Sequence, residues 1–140
     1  MPSFSPDGKK VAYVSLNNIY VEDVETGKTT TLTNDGCDYI VNGTFDWVYE
    51  EEFATTCSMT WAPDSETLSY LKYNETQVPL YSIPLYQGAC NPKDKYALYP
   101  GQKNGIRMND GAEYECGFMC ELIHAETAEV KAVYTDDFYA

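Results

Sequence analysis

Glu50, Glu51 and Glu52 stand in a row behind an aromatic group, in the segment Asn42-Gly43-Thr44-Phe45-Asp46-Trp47-Val48-Tyr49-Glu50-Glu51-Glu52-Phe53. Adjacent carboxylates repel one another, so a packed segment that holds them together calls for a cationic partner, and a free ammonium group is the simplest one. The competing reading is a solvated acidic face, or a helix first turn favoured by the dipole. The aromatic company of the run argues for the first: Trp47, Tyr49 and Phe53 can anchor the segment. With Asp46 capping a short helix, successive side chains fan out by about 100° per residue. Glu51 and Glu52 then face one cavity while Glu50 points elsewhere.

These residues need a scaffold, and the composition supplies the terms for one. A chain of 140 residues with 44% hydrophobic and 14% aromatic content suits a single packed domain rather than disorder. Its 13 tyrosines and its short apolar runs point to strands with polar outer faces. No stretch reaches the roughly 18 to 20 apolar residues of a membrane-spanning helix. Nine basic against 22 acidic residues give a net charge of −13, which repels phosphate backbones and argues against nucleic acid and anionic membranes as partners. The same charge attracts cationic peptides, within the reach that salt screening leaves.

Cysteines at 37, 57, 90, 116 and 120 make an odd count, so at least one thiol is left over within the chain. Cys116 and Cys120, if both lie on one strand, are about 13 Å apart and too distant for a disulfide. Zinc requires further ligands at suitable spacing, and the single histidine, His124, reads as a strand residue. No metal and no cofactor are expected.

The organisation is repetitive. Phe4-Ser-Pro-Asp-Gly-Lys-Lys-Val-Ala-Tyr-Val14 returns 57 residues later as Trp61-Ala-Pro-Asp-Ser-Glu-Thr-Leu-Ser-Tyr-Leu71. Each copy reads as an aromatic-ended strand, a Pro-Asp turn and an alternating strand, that is, a β-hairpin. A second echo, 101 residues apart, lays Glu25-Thr26 on Glu126-Thr127 within strand-turn-strand contexts. Four strands per repeat with an aromatic and Pro-Asp signature is how a propeller blade looks in sequence. The difference between the offsets leaves 44 extra residues in the second copy, an insertion over about 73–117. Within it Val78-Pro-Leu-Tyr-Ser-Ile-Pro-Leu-Tyr86 carries two prolines, which remove ladder donors, and reads as an edge strand or extended arm. The expected fold is therefore all-β: a partial propeller of about two four-stranded antiparallel blades, with a short helical Glu-motif segment and an arm. Residues 1–36 end one blade, 37–56 carry the Glu motif, and 57–140 form the next blade. Two blades do not close a ring, and open sheet edges invite aggregation, so the sequence is expected to be a fragment of a larger one. No signal peptide is legible at its start.

Asp46-Trp-Val-Tyr-Glu-Glu-Glu-Phe53, Trp61-Ala-Pro-Asp64, Tyr73-Asn-Glu75 and Val78 to Tyr86 resemble the N-terminal propeller of the dipeptidyl peptidase IV family, serine exopeptidases of the prolyl oligopeptidase clan, with wording nearest to bacterial members. The resemblance covers roughly residues 2 to 100 and recovers weakly over the last strand pair. It implies that Glu51 and Glu52 bind the free α-amino group of a peptide N-terminus, with Glu50 as outward neighbour and Asp46, Trp47 and Tyr49 as packing supports. Paired carboxylates in a low-dielectric cavity suit that task, because charge-assisted hydrogen bonds hold the ammonium and a continuing chain is rejected. The resemblance also implies release of Xaa-Pro or Xaa-Ala dipeptides, a dimerisation arm at Val78 to Tyr99, and a periplasmic or cell-surface location.

Catalytic residues do not transfer. These 140 residues hold no Gly-x-Ser-x-Gly elbow, so the implied α/β-hydrolase domain is expected downstream and the chain alone is expected to be inactive. Arg107, the single arginine, does not match the substrate-contacting arginine of the family, and Gly101 to Gly117 departs from its pattern. Asn42-Gly43-Thr44 and Asn74-Glu75-Thr76 fit the N-glycosylation sequon, but in a bacterial protein both read as ordinary turns. Two other functions compete: a non-enzymatic propeller used as a protein-interaction module, with the glutamates as a docking patch, and an acidic cation-binding module.

Overall fold

The Pro-Asp turn sets the first sheet. In the computed structural model, which describes residues 2–45, 47–76, 80–81, 106–107 and 117–135, Gly8 adopts a φ of 73° and its N–H donates to Ser5 O at 2.9 Å. Asp7 Oδ1 closes the same turn by accepting from Lys9 N at 3.0 Å and from Ser5 Oγ at 2.7 Å. This turn joins β1 (Ser3–Phe4) to β2 (Lys10–Ser15); β3 (Asn18–Asp23) and β4 (Thr29–Thr31) complete a four-stranded antiparallel meander in chain order. Alternation then sorts the side chains: Ala12, Ile19 and Val21 are buried on one face, while Tyr13 and Tyr20, directly opposite in the ladder, stack with ring centroids 5.6 Å apart.

The second sheet repeats this construction around β7 (Thr67–Asn74). β10 (Gly117–His124) pairs with β7 along all eight residues, and β11 (Val130–Thr135) pairs with β10. On the other edge of β7 lie two short strands in succession, β5 (Ile40–Asn42) and β6 (Met59–Trp61). Ile40–Asn42 falls in the segment read from the sequence as the Glu motif, so this sheet has five strands where four were expected. The one helix among the described residues, α1 (Trp47–Phe53), separates β5 from β6. A two-stranded piece, β8 (Leu80–Tyr81) with β9 (Ile106–Arg107), stands within the insertion; the rest of the arm Val78 to Tyr99 and of Gly101 to Gly117 lies outside the described residues.

Backbone bonds recur at the offsets found in the sequence. Ser5 N to Lys10 O (2.9 Å) is matched by Ala62 N to Thr67 O (2.8 Å), and Val24 N to Lys9 O (2.8 Å) by Ala125 N to Glu66 O (2.9 Å). The later turn matches too: Asp23 N to Lys28 O and His124 N to Glu129 O are both 2.9 Å. The positive-φ positions also correspond, Gly8 with Ser65 (61°) and Gly27 (68°) with Ala128 (57°). His124 is thus more than a strand residue: its Nδ1 accepts from Glu126 N (3.2 Å) and Thr127 N (3.4 Å), standing where Asp23 Oδ1 accepts from Thr26 N (2.7 Å).

Between the sheets Ala12, Ile19, Val21 and Leu32 meet Met59, Trp61, Leu68, Tyr70, Ile123 and Ala125 in one core. The buried Tyr70 hydroxyl donates to the Glu121 carboxylate opposite it; burial, and then that carboxylate, push the phenol well above its ordinary value. At the rim Trp61 Nε1 donates to Ser3 O at 3.0 Å, Asp7 N to Ser65 Oγ at 3.1 Å, and Lys10 Nζ to Ser65 O at 3.2 Å. Lys10 also pairs with Glu126 at 3.0 Å, so the two repeats are tied turn to turn.

Candidate functional site

The helix with the glutamates is an excursion from a single ladder. The chain leaves the edge of β7 at Gly43, whose N–H donates to Leu71 O, and returns at Ser58, whose N–H donates to Gly43 O, both at 3.0 Å. Gly43 has a φ of 76°, and a Cβ there would lie 2.9 Å from Ile19 Cδ1 and from Met59 Cγ. Only glycine fits where the departing chain crosses the inter-sheet core.

Asn42, fully buried, fixes the direction of departure. Its Nδ2 donates to Asn17 O at 2.9 Å and to Asp35 Oδ1 at 3.1 Å, and its backbone N–H also reaches Asn17 O at 3.3 Å. Asn17 sits in the β2–β3 turn, where Leu16 and Asn17 both have positive φ, 49° and 60°. Non-glycine residues at such angles are strained, and the tertiary bonds to Asn42, with Asn17 Nδ2 donating to Cys37 O at 2.8 Å, hold them there. Asp35 in turn pairs with Lys72 of β7. Partial burial works to raise the Asp35 carboxyl, but hydrogen bonds from Lys72 and Asn42 and the Lys72 charge outweigh it and hold the group below the ordinary carboxylate range.

Beyond Gly43 the aromatic residues take over. Phe45 stacks on Tyr49 with centroids 5.3 Å apart, and Tyr73, buried in β7, lies 6.5 Å from Phe45 and 6.3 Å from Tyr49. Tyr49 and Phe53, one helical turn apart, are 5.7 Å apart. The helix ends at Ala54 (φ 53°), after which Thr55 donates to Tyr49 O through its Oγ1 at 3.2 Å. The helix therefore rests on an aromatic bed. Glu50 and Glu52 are exposed, and by helical spacing Glu51 occupies the position farthest from the Tyr49 and Phe53 side.

Of the residues singled out in the sequence, Tyr49 packs on the sheet, although it remains 41% exposed. Trp47 and Glu51 are placed on the helix by their backbone, their side chains lying outside the described part, and Asp46 falls outside the described residues altogether. Among the described residues a cavity of about 260 Å³ against the second sheet is lined by Phe45, Cys57, Ser58, Tyr70 and Cys120 among others, and by no glutamate. Cys37, Cys57 and Cys120 are free thiols. Among the described residues no three metal-ligating side chains cluster, and no helix is long and apolar enough to cross a membrane. Sequence reasoning missed Asn42, Gly43, Phe45, Tyr73, Asp35 and Lys72 as supports. The Asn-Gly pair ahead of the motif carried a signal for two of them, whereas the others depend on pairings distant in sequence.

The family model described as the dipeptidyl peptidase IV (DPP IV) N-terminal region matches residues 1–106. A second model, the beta-galactosidase trimerisation domain, matches residues 90–140, less than half of the chain. The eight-residue pairing of β10 with β7 nonetheless joins 117–124 to the same sheet as the first match. Dipeptidyl peptidase 4 of Trichophyton rubrum is 45% identical over 103 residues, 69% of this chain and 13% of that protein. The crystal structure of Porphyromonas gingivalis dipeptidyl peptidase 4 superposes with a TM-score of 0.72 at 34% identity, over 94% of this chain and 18% of the other. The acylaminoacyl peptidase of Pyrococcus horikoshii, at 21% identity and a TM-score of 0.50, covers 97% of this chain and 17% of its own, and shares the fold. The chain thus spans less than a fifth of the length of these relatives. Fungal and bacterial proteins both stand among them, and the bacterial leaning expected from the motif is not singled out by these identities.

Proposed function

The chain belongs to the dipeptidyl peptidase IV N-terminal region family, and from that premise we propose that it is the substrate-recognising propeller portion of a serine exopeptidase releasing N-terminal Xaa-Pro or Xaa-Ala dipeptides. Glu51 and Glu52 take the free α-amino group of the peptide, and Glu50 stands beside them. The observation that carries this reading is the seven-residue helix Trp47–Phe53, which holds the three glutamates in sequence and is anchored through Tyr49 to an aromatic bed on the second sheet. A rigid mount of this kind holds two carboxylates at a set distance from whatever completes the cavity, and a pre-positioned pair binds an ammonium with less loss of side-chain entropy. The surrounding negative charge steers cationic peptide termini toward them. The arm Val78 to Tyr99 is the proposed surface for a second subunit.

A chimaera carrying residues 1–106 in place of the matching segment of the P. gingivalis enzyme tests the assignment. Glu51→Gln and Glu52→Gln are each expected to lower kcat/KM for a chromogenic Gly-Pro substrate by roughly 30- to 1,000-fold, the loss of about 2–4 kcal/mol for a broken charge pair, with Tm unchanged. Unchanged kcat/KM in both variants would remove the glutamates from the site. Binding of a folded partner regardless of N-terminal acetylation would instead favour the interaction-module reading.

A further inference from the structure

The glutamate helix is rooted in the first sheet as well as the second, through a turn whose backbone is strained. Leu16 and Asn17 form the two-residue β2–β3 turn with positive φ at both positions, a geometry that favours Asn-Gly or Gly-Gly. Leu16 is 88% exposed, so no packing of its side chain offsets the strain. The turn is held instead by what its backbone and Asn18 bind. Asn17 O accepts from Asn42 N at 3.3 Å and from Asn42 Nδ2 at 2.9 Å. Asn18 Oδ1 accepts from Gly36 N at 2.8 Å and from Thr33 Oγ1 at 3.2 Å, and a Cβ on Gly36 would lie 2.2 Å from Asn17 O. The turn and the loop that carries Asp35 are thus seated on one another, and both acceptors of the Asn42 amide, Asn17 O and Asp35 Oδ1, belong to that unit.

Asn42 is a costly way to fill a core position. It is fully buried, its Nδ2 makes two bonds, and its Oδ1 has no donor among the described residues. A buried carbonyl oxygen in that state carries a desolvation penalty that an apolar side chain of similar volume avoids. What the amide supplies, and leucine would not, is direction. Two bonds at set angles orient the last residue before Gly43, and two residues beyond Gly43 the ring of Phe45 already stacks on Tyr49 of α1.

We infer that Asn42 is a positioning residue for recognition of the peptide amino group, acting through α1 and seated on the strained β2–β3 turn; this rests on the reading that Glu51 and Glu52 take that group. Asn42 is buried and touches no substrate itself. It orients Gly43, from which the chain runs through Phe45 into the helix, and so relays the frame of the first sheet to carboxylates mounted on the second. A shift of the helix by about 1 Å is enough to lower kcat/KM on the order of 100-fold, because both carboxylates move together relative to the reacting carbonyl.

The test is a double-mutant cycle in the chimaera that carries residues 1–106. With Glu51 present, Asn42→Leu is expected to lower kcat/KM for the chromogenic Gly-Pro substrate by about 10- to 100-fold, mostly through KM. With Glu51→Gln the further loss is expected to be less than about threefold, because the group being positioned is gone. A merely structural role gives the same factor in both backgrounds and overturns the inference. Where Asn42→Leu does not fold, the turn decides. Asn17→Gly keeps the positive φ and the carbonyl that Asn42 binds, and is expected to stay within about threefold of the wild-type KM. Asn17→Val, whose β-branched side chain disfavours that φ, is expected to raise KM about tenfold or more. Equal KM values for these two variants overturn the inference. Unchanged kcat/KM in Glu51→Gln removes the glutamate reading and this inference with it, whereas a large loss in Glu51→Gln with an additive Asn42→Leu removes this inference alone.

Discussion

Tyr13 and Tyr70 occupy equivalent places in the two repeats, and so do their cross-strand partners Tyr20 and Glu121, yet the two pairs do different things. In the first sheet the two rings stack on a partly open face; in the second the phenol is buried between the sheets and its hydroxyl satisfies a buried carboxylate. Phe4 and Trp61 diverge in the same way: Phe4 is 62% exposed, whereas Trp61 is 9% exposed and donates to Ser3 O. The backbone bonding of the repeat is conserved within the chain, so the difference arises from what each face covers. Equivalent positions in a repeat share geometry and differ in environment.

The largest expected effect separates the two aromatic strand ends. Trp61→Ala removes a core ring and the bond to Ser3, and is expected to cost about 3–5 kcal/mol in urea unfolding, whereas Phe4→Ala at its exposed equivalent costs about 0.5 kcal/mol or less. Equal losses would mean that the first sheet's outer face is as well covered as the inter-sheet core.

Next in size is the tyrosine comparison. Tyr70→Phe leaves the buried Glu121 carboxylate without its donor and is expected to cost about 1–3 kcal/mol, while Tyr13→Phe is near neutral. Similar melting curves for the two variants would show that the hydroxyl of Tyr70 contributes nothing to the second sheet.

Acid titration offers a third comparison. Asp35 has a folded-state value lowered from the ordinary 3.8, so its contribution is fully present above the unfolded value and is lost as pH falls through the lower folded one. With its carboxylate 46% exposed, solvent screening limits that contribution to about 1 kcal/mol or less. Asp35→Asn is therefore expected to lose that contribution at neutral pH and to lose nothing in acid, which flattens the stability profile below pH ~4. An unchanged acid limb would show that the Asp35–Lys72 pair does not support the Asn42 anchor.

The smallest effect tests the turn equivalence itself. His124→Asp installs the residue that caps the corresponding turn of the first repeat, and a change within about 0.5 kcal/mol is expected, against a loss of roughly 0.5–1.5 kcal/mol for His124→Ala. If Asp and Ala at 124 behave alike, the two turns are not interchangeable.

The repeats were legible because they rest on local chemistry. Pro-Asp followed by a residue at positive φ specifies a turn wherever it occurs, and alternation assigns the strands that follow it, so the 57- and 101-residue offsets reappear as matched backbone bonds. The Glu-bearing helix was legible as well, from a capping residue ahead of an acidic run with aromatic anchors. Its mount was not. Tyr73 gave no sign of lying beneath Phe45 and Tyr49, and Asp35 none of bonding both Asn42 and Lys72, because these contacts join strands whose register is set by the whole sheet.

By itself the sequence determined an acidic, all-β, repeating chain with an aromatic-anchored run of carboxylates, since composition, turn chemistry and periodicity act over a few residues at a time. Only the tertiary structure decided that Ile40–Asn42 joins the second sheet, that Gly43 is the narrow exit from it, and that Asn42 is buried while Asn74 is exposed. Those outcomes depend on which faces meet across the core. Long-range packing, with the desolvation that it imposes on each polar group, determines which of two similar local patterns is buried and which is presented to solvent.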